Sequence, residues 1–182
     1  MRYIDLDSVL DSVPDEILNA LKTVNDSMPA LSNENKIARA KNGNADWRPI
    51  KSFLESASKR KCWYTESKNA GCLNDVEHFR PKGKIHKPKK GPLIHWYWFL
   101  AFNPINYRLS CQFANRRNHN ELYGESGGKG DHFPLLNGTA HATNLAALAR
   151  EEPVLLDPCV ESDTKLLEFL PDGRPVLSPK FH

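Results

Sequence analysis

The chain has 182 residues, of which 40% are hydrophobic, with 13 prolines, 10 glycines and a formal net charge of +3. That length suits one domain, or one domain with a small accessory part, and the Pro and Gly content implies many turns. No apolar run approaches the roughly 18–20 residues a membrane-spanning helix needs. Residues 1–11 carry three aspartates and no apolar signal-peptide core, so a soluble cytoplasmic protein is expected.

Residues 1–30 hold two basic and six acidic side chains. Within them Ser12-Val13-Pro14-Asp15-Glu16 reads as a helix start, with Ser12 as N-cap, Pro14 near the first turn and acids beside the positive end of the dipole. Ile17, Leu18, Leu21 and Val24 then fall on one helical face. Residues 33–41 and 47–58 predict two further helices, separated by the Gly43-Asn44 break. Residues 1–58 are therefore expected to be a helical N-terminal segment whose apolar stripe is core.

From there the texture changes. Residues 59–90 hold ten basic and three acidic side chains, and Arg108, Arg116 and Arg117 follow without an acid up to Asn120. This fits a polyanion footprint, because each phosphate contact releases condensed counterions, and equally a solvated basic loop. Residues 82–92 read as a Lys/Pro/Gly-rich loop. Residues 95–102 are aromatic-rich and fit a strand or a buried helix equally. A break at Asn103-Pro104 precedes an extended piece over 107–111 and a polar stretch with helical character over 112–120. Residues 124–130 read as a flexible loop, and 166–177 as a hairpin turning at Pro171-Asp172-Gly173.

The chemistry concentrates in Asp75-Val76-Glu77-His78-Phe79-Arg80-Pro81-Lys82. Phosphodiester hydrolysis needs a base that titrates near neutrality, which imidazole supplies, and a hard cation on oxygen ligands such as a carboxylate. Neighbours in a regular strand face opposite ways. Pro81 predicts that the strand ends here, which would let Glu77 and His78 serve one site. If Asn115 starts a helix, His119 lies one turn on and on the same face. Cys62, Cys72, Cys111 and Cys159 read as thiols or metal ligands rather than disulfides.

The ordered pieces Cys62–Glu66, Asp75–Lys82, Trp98–Phe102, Asn106–Asn115, Lys129–Leu135 and Glu151–Pro158 resemble the HNH endonucleases of Septu and retron-associated anti-phage systems. The resemblance covers about residues 47–175. It implies an α+β protein in which the helical segment, 1–58, precedes a ββα-metal nuclease domain, 59–182, with a C-terminal hairpin. It implies a divalent Mg²⁺ or Mn²⁺ cofactor, a nucleic-acid substrate and an ABC-type ATPase partner (PtuA-like). Residues 1–30 are expected to carry part of that protein contact.

By position, His78 matches the general base and Glu77 the metal-binding carboxylate. Asn106 matches the Asn that holds the loop bearing the base, and Asn115 a metal ligand. His119 matches an additional ligand found in some branches. Asp75 and His132 are expected at the surface or behind the ligands. Arg80, Lys82, Arg116 and Arg117 are the expected nucleic-acid contacts.

One departure stands out. Relatives carry two C-x-x-C knuckles around a structural zinc, whereas here they read Cys62-Trp63-Tyr64-Thr65 and Cys111-Gln112-Phe113-Ala114. Two thiolates rarely close a tetrahedral site. The zinc is expected to be lost, with Trp63 and Phe113 packing in its place and Cys72 or a His as the only substitute ligands. Loss of the knuckles keeps a second reading open, a non-catalytic nucleic-acid-binding or scaffold subunit with a decayed nuclease centre.

Overall fold

The structure, a computed structural model, describes residues 1–68, 71–83, 96–121, 124–136, 139–172 and 174–181. Asp5 caps a short helix α1 (Leu6–Asp11), accepting from the Ser8 backbone N–H and hydroxyl. Ser12, expected to cap the next helix, instead ends α1 and donates its hydroxyl to the Val9 carbonyl. Pro14 opens α2 (Asp15–Ser27), where a missing N–H costs nothing.

Ser32 caps α3 (Asn33–Asn42). The helix expected over 47–58 divides into α4 (Asn44–Trp47), a 3₁₀ turn at Arg48–Ile50 containing Pro49, and α5 (Lys51–Ala57). Gly43 is required between α3 and α4 because a Cβ there would lie 2.5 Å from the Phe102 ring. A bidentate Arg39–Asp46 pair at 2.7 and 2.9 Å spans the same break.

Strands β1 (Asp75–His78) and β2 (Tyr107–Ser110) form an antiparallel pair with Glu77 opposite Arg108 and His78 opposite Tyr107. Helix α6 (Gln112–Asn115) follows at once. Then come the hairpin of β3 (Asn118–Asn120) and β4 (Glu125–Gly127), helix α7 (Glu161–Thr164), and the hairpin of β5 (Leu167–Phe169) and β6 (Pro175–Leu177). The fold is thus α+β. The 95–102 piece is neither strand nor α-helix where described: Trp98–Leu100 is a 3₁₀ turn, its flanking Tyr97, Ala101 and Phe102 fully buried. His95 and most of the 82–92 loop lie outside the described residues.

Period-two alternation divides the β1–β2 pair into two faces. Val76, His78, Tyr107 and Leu109 turn toward the helices, where Val9, Leu21, Met28, Trp47, Ile50, Leu54 and Trp63 complete one buried cluster. Residues 1–58 and the strand pair therefore share a core. A second aromatic cluster, Phe79, Tyr97, Phe99, Leu100 and Phe133, packs against the loop after β1.

On the other face, Arg108 forms a buried bidentate pair with Asp157, at 2.7 and 2.6 Å, and donates to the carbonyls of Ile105 and Tyr107. Removing one partner of such a pair strands the other charge. Asp157→Asn is expected to cost about 3–5 kcal/mol, read as a lower midpoint in urea unfolding with an unchanged slope.

Candidate functional site

Strand β1 ends after His78, ahead of Pro81 as expected, but it is regular over Glu77 and His78, so its end does not turn the two toward one site. Glu77 and His78 face opposite sides, because their cross-strand partners Arg108 and Tyr107 do. His78 is buried with its ring edge-on to Trp47 and Tyr107, centroids 4.8 and 5.0 Å away. Its Nε2 lies 2.9 Å from the Ala101 carbonyl, which can only accept, so Nε2 carries the proton and Nδ1 keeps its lone pair. Burial, and then the charge of Lys82, hold this imidazole well below its ordinary range, outweighing the carbonyl bond that works the other way.

Asn106 ties the loop after β1 to the start of β2. Its Oδ1 accepts from the Arg80 N–H at 2.8 Å and its Nδ2 donates to the Arg80 carbonyl at 2.9 Å. The Asn106 carbonyl also accepts from the Phe79 N–H. The side chain thus grips the backbone that carries His78.

Glu77 faces a cleft of about 410 Å³ whose lining includes Tyr64, Phe79, Ser110, Lys129 and His132. Its Oε2 accepts from the Tyr64 hydroxyl at 2.8 Å. Its Oε1 lies 2.7 Å from Lys129 Nζ, an ion pair with no aligned hydrogen bond. Lys129 also donates to the His78 carbonyl at 2.9 Å. Burial, then Glu77, push the Tyr64 hydroxyl well above its usual range, so it remains a donor.

Asp75 lies two residues before Glu77, on the same face, and accepts from Asn115 Nδ2 at 3.0 Å, so the amide oxygen, not the nitrogen, is the atom that could meet an ion. Among the described residues no group of three His, Cys, Asp or Glu side chains is gathered as a metal centre. The oxygen donors of Glu77 and Asn115, with one Glu77 oxygen lacking an aligned partner, nevertheless suit a hard cation that keeps several waters.

Four expected placements change. Helix α6 ends at Asn115 because Arg116 turns extended, so His119 lies in β3, exposed, with Nδ1 3.5 Å from the Ser126 hydroxyl. Arg80 is spent on the fully buried Glu151 carboxylate at 2.6 Å, which Tyr97 and the Ala142 N–H also bind, rather than presented to a phosphate. Lys82 sits 4.5 Å over the Trp47 ring, its ammonium lowered by burial. Phe113 is 70% exposed and packs nothing in place of a zinc. Arg116 remains exposed while paired with Asp75, and Arg117 is exposed.

At the broken knuckles Cys62 and Cys111 are both buried. Burial raises the Cys62 thiol, but hydrogen bonds from the Thr65 hydroxyl and the backbone of Cys111, Thr65 and Tyr64 outweigh it and hold it below its usual range. Thr65, at the position of the missing thiol, supplies a hydroxyl donor instead. Trp63, fully buried, donates its backbone N–H to the Leu109 carbonyl and ties the knuckle to β2. Cys72 is exposed in a separate groove with Arg48, Glu55 and Asn74. The residues present do not fit a closed zinc site. The motifs holding Lys129, Glu151 and Asp157 were visible in sequence, but their pairing with Glu77, Arg80 and Arg108 was not.

The arrangement is that of an α+β protein whose strand pair and following helix carry an imidazole on one face and a carboxylate–amide set on the other. The chain is similar to Septu protein PtuB of Bacillus mycoides (strain KBAB4), with 32% identity over 126 residues, 68% of this chain and 39% of that protein. It thus spans about two fifths of the length of the curated relative it matches. No family profile matches the chain, and no solved structure matches it. The likeness supports the Septu relationship that the ordered motifs imply. No helix among the described residues is long and apolar enough to cross a membrane.

The His78 environment predicts a pH dependence. An unfolded imidazole titrates near about 6.5, while the folded one lies well below. Between those values the unfolded chain binds more protons, so stability is lost as pH falls below about 6.5. In the metal-free protein the His78 ring resonances should not shift between pH 7.5 and 6 when followed by NMR.

Proposed function

We propose that the chain is a metal-dependent HNH endonuclease acting on nucleic acid, DNA in preference to RNA, and the effector of an anti-phage system with an ATPase partner. The observation that carries this reading is the orientation of His78: its Nε2–H is fixed on the Ala101 carbonyl, which leaves Nδ1 as the atom that would take a proton from water. The Asn106 clamp on Arg80 holds the backbone that presents it. Glu77 and the Asn115 amide oxygen would hold Mg²⁺ or Mn²⁺, with Asp75 orienting the amide. The ion would neutralise charge developing on the leaving oxygen. Exposed Arg116 and Arg117 remain available for backbone phosphates, which position the substrate without reading its sequence. The likeness to a Septu protein supports the defence role and the partner. Helices α1 and α2 and the turn between them bury Val9, Leu21 and Val13, so the outer, acidic side of residues 1–30 is what is offered to that partner.

The second reading, a non-catalytic nucleic-acid-binding or scaffold subunit, is favoured by the opposite facing of Glu77 and His78 and by the Lys129 contact on Glu77. Plasmid and RNA cleavage with and without Mg²⁺ or Mn²⁺ separates the two. Under the nuclease reading, His78→Ala lowers the cleavage rate by at least about 10²–10⁴-fold while metal binding persists. Glu77→Ala also loses cleavage, and raising Mn²⁺ partly restores it but does not restore His78→Ala. Equal rescue would mean the roles are misassigned, and near-parental cleavage by His78→Ala would remove the mechanism.

We also propose that the structural zinc of the relatives is lost. Elemental analysis of the purified chain should find well under one zinc per chain, and a stoichiometric zinc surviving dialysis would overturn this.

A further inference from the structure

Lys129 is delivered to Glu77 by a purpose-shaped piece of backbone. Gly128 and Gly130 on either side of it have φ of +80° and +52°, a region glycine enters without strain. At Gly128 a Cβ would lie 1.9 Å from the Arg116 carbonyl oxygen, so the chain passes directly against the end of α6. The Lys129 and Gly130 N–H groups donate to the carbonyls of Ala114 and Asn115 at 2.8 and 2.7 Å. The backbone of Lys129 is thereby pinned to the helix that carries Asn115, and its ammonium reaches Glu77 Oε1 with 11% of the side chain exposed.

Glu77 is held unequally. Its Oε2 is anchored by Tyr64, whereas Oε1 meets only the lysine charge, without an aligned hydrogen bond. A charge contact of that kind can be replaced by another cation without disturbing the anchor. Two cations at one buried carboxylate oxygen repel strongly, so they cannot share it. The lysine stem is flexible and its head is a point charge, which lets it leave.

We propose that Lys129 is a tethered cation that occupies Glu77 in the metal-free protein, and that a divalent ion binds by displacing it. Lys129 then sets the metal concentration the site requires, because apparent affinity falls in proportion to the fraction of molecules with the carboxylate vacated. This rests on the proposed metal role of Glu77, and the test keeps the two apart.

The experiment is a Mn²⁺ titration of the whole chain by calorimetry, comparing the parent with Lys129→Met, Lys129→Arg and Glu77→Gln. Melting temperatures in chelator and in excess Mn²⁺ are measured beside it. Lys129→Met should bind Mn²⁺ about tenfold or more tightly than the parent, as expected if the vacated state is a tenth or less of the population. Its melting temperature should be lower in chelator and rise more with Mn²⁺. Lys129→Arg should keep the weak parental affinity, and Glu77→Gln should lose binding even when combined with Lys129→Met. Equal or weaker affinity in Lys129→Met overturns the displacement, and cleavage by the parent would then leave the nuclease reading standing. Tighter binding without cleavage upholds the displacement and sinks that reading. No Mn²⁺ binding by either chain removes both. If Lys129→Met does not melt cooperatively, Lys129→Gln, which keeps a polar head without charge, is read in the same way.

Discussion

The molecule depends on the register of one short antiparallel pairing. With His78 opposite Tyr107 and Glu77 opposite Arg108, each strand sends alternate side chains into the helical core and into the cleft. A slip of one residue would exchange the faces, placing Glu77 among Trp47 and Tyr107 and His78 beside Lys129. The apolar partners prevent it. Val76, Tyr107 and Leu109 belong to a cluster completed by helices from the far end of the chain, and burying each such side chain contributes about 1.5–3 kcal/mol. The N-terminal helices therefore do more than precede the strand pair. They decide which way its polar residues point.

The later part of the chain holds the opposite side by charge. Asp157 closes on Arg108 in β2, and Glu151 closes on Arg80 in the loop after β1. Both acids are buried and both come from the segment between the second aromatic cluster and α7. At the knuckles the bracing is local. Here Cys62 keeps its hydrogen bonds, Thr65 replaces a thiol with a hydroxyl, and the Trp63 backbone N–H reaches β2. These local bonds and the two distant ion pairs brace the strands together.

Sequence reasoning reached the helices of the first segment, the extended piece at 107–110 and the terminal hairpin, because each has local periodicity or a turn signal. The place of Asn106 beside the loop bearing His78 came from the resemblance to HNH endonucleases, not from the local residues, since an Asn at a Pro-led turn is ordinarily only a turn or capping residue. Sequence reasoning failed where a partner distant in the chain decides the outcome. Arg80 looks like a phosphate contact until Glu151, 71 residues on, takes its guanidinium. His119 looks like a ligand until α6 stops after one turn, and Phe113 looks like packing until its side of that turn faces outward. Lys129 carried a local signal, a lysine between two glycines, but nothing in the sequence said which carboxylate it would meet. Ser12 was misread for a different reason: α1 is too short to show a periodicity, so its terminal residue looked like the start of the next helix.

The Asn106 clamp has a consequence for how such a protein can change. It closes a loop of 26 residues by bonding to the backbone of Arg80, not to a side chain. Asn106 therefore needs only a backbone N–H and a carbonyl at residue 80, which any residue but proline supplies. Closure entropy grows slowly with length, by only about 0.6 kcal/mol for each doubling. The span between the two clamped residues can accordingly change in length at little closure cost, provided that Tyr97 to Phe102 within it keep their packing and the Ala101 carbonyl its place beside the imidazole.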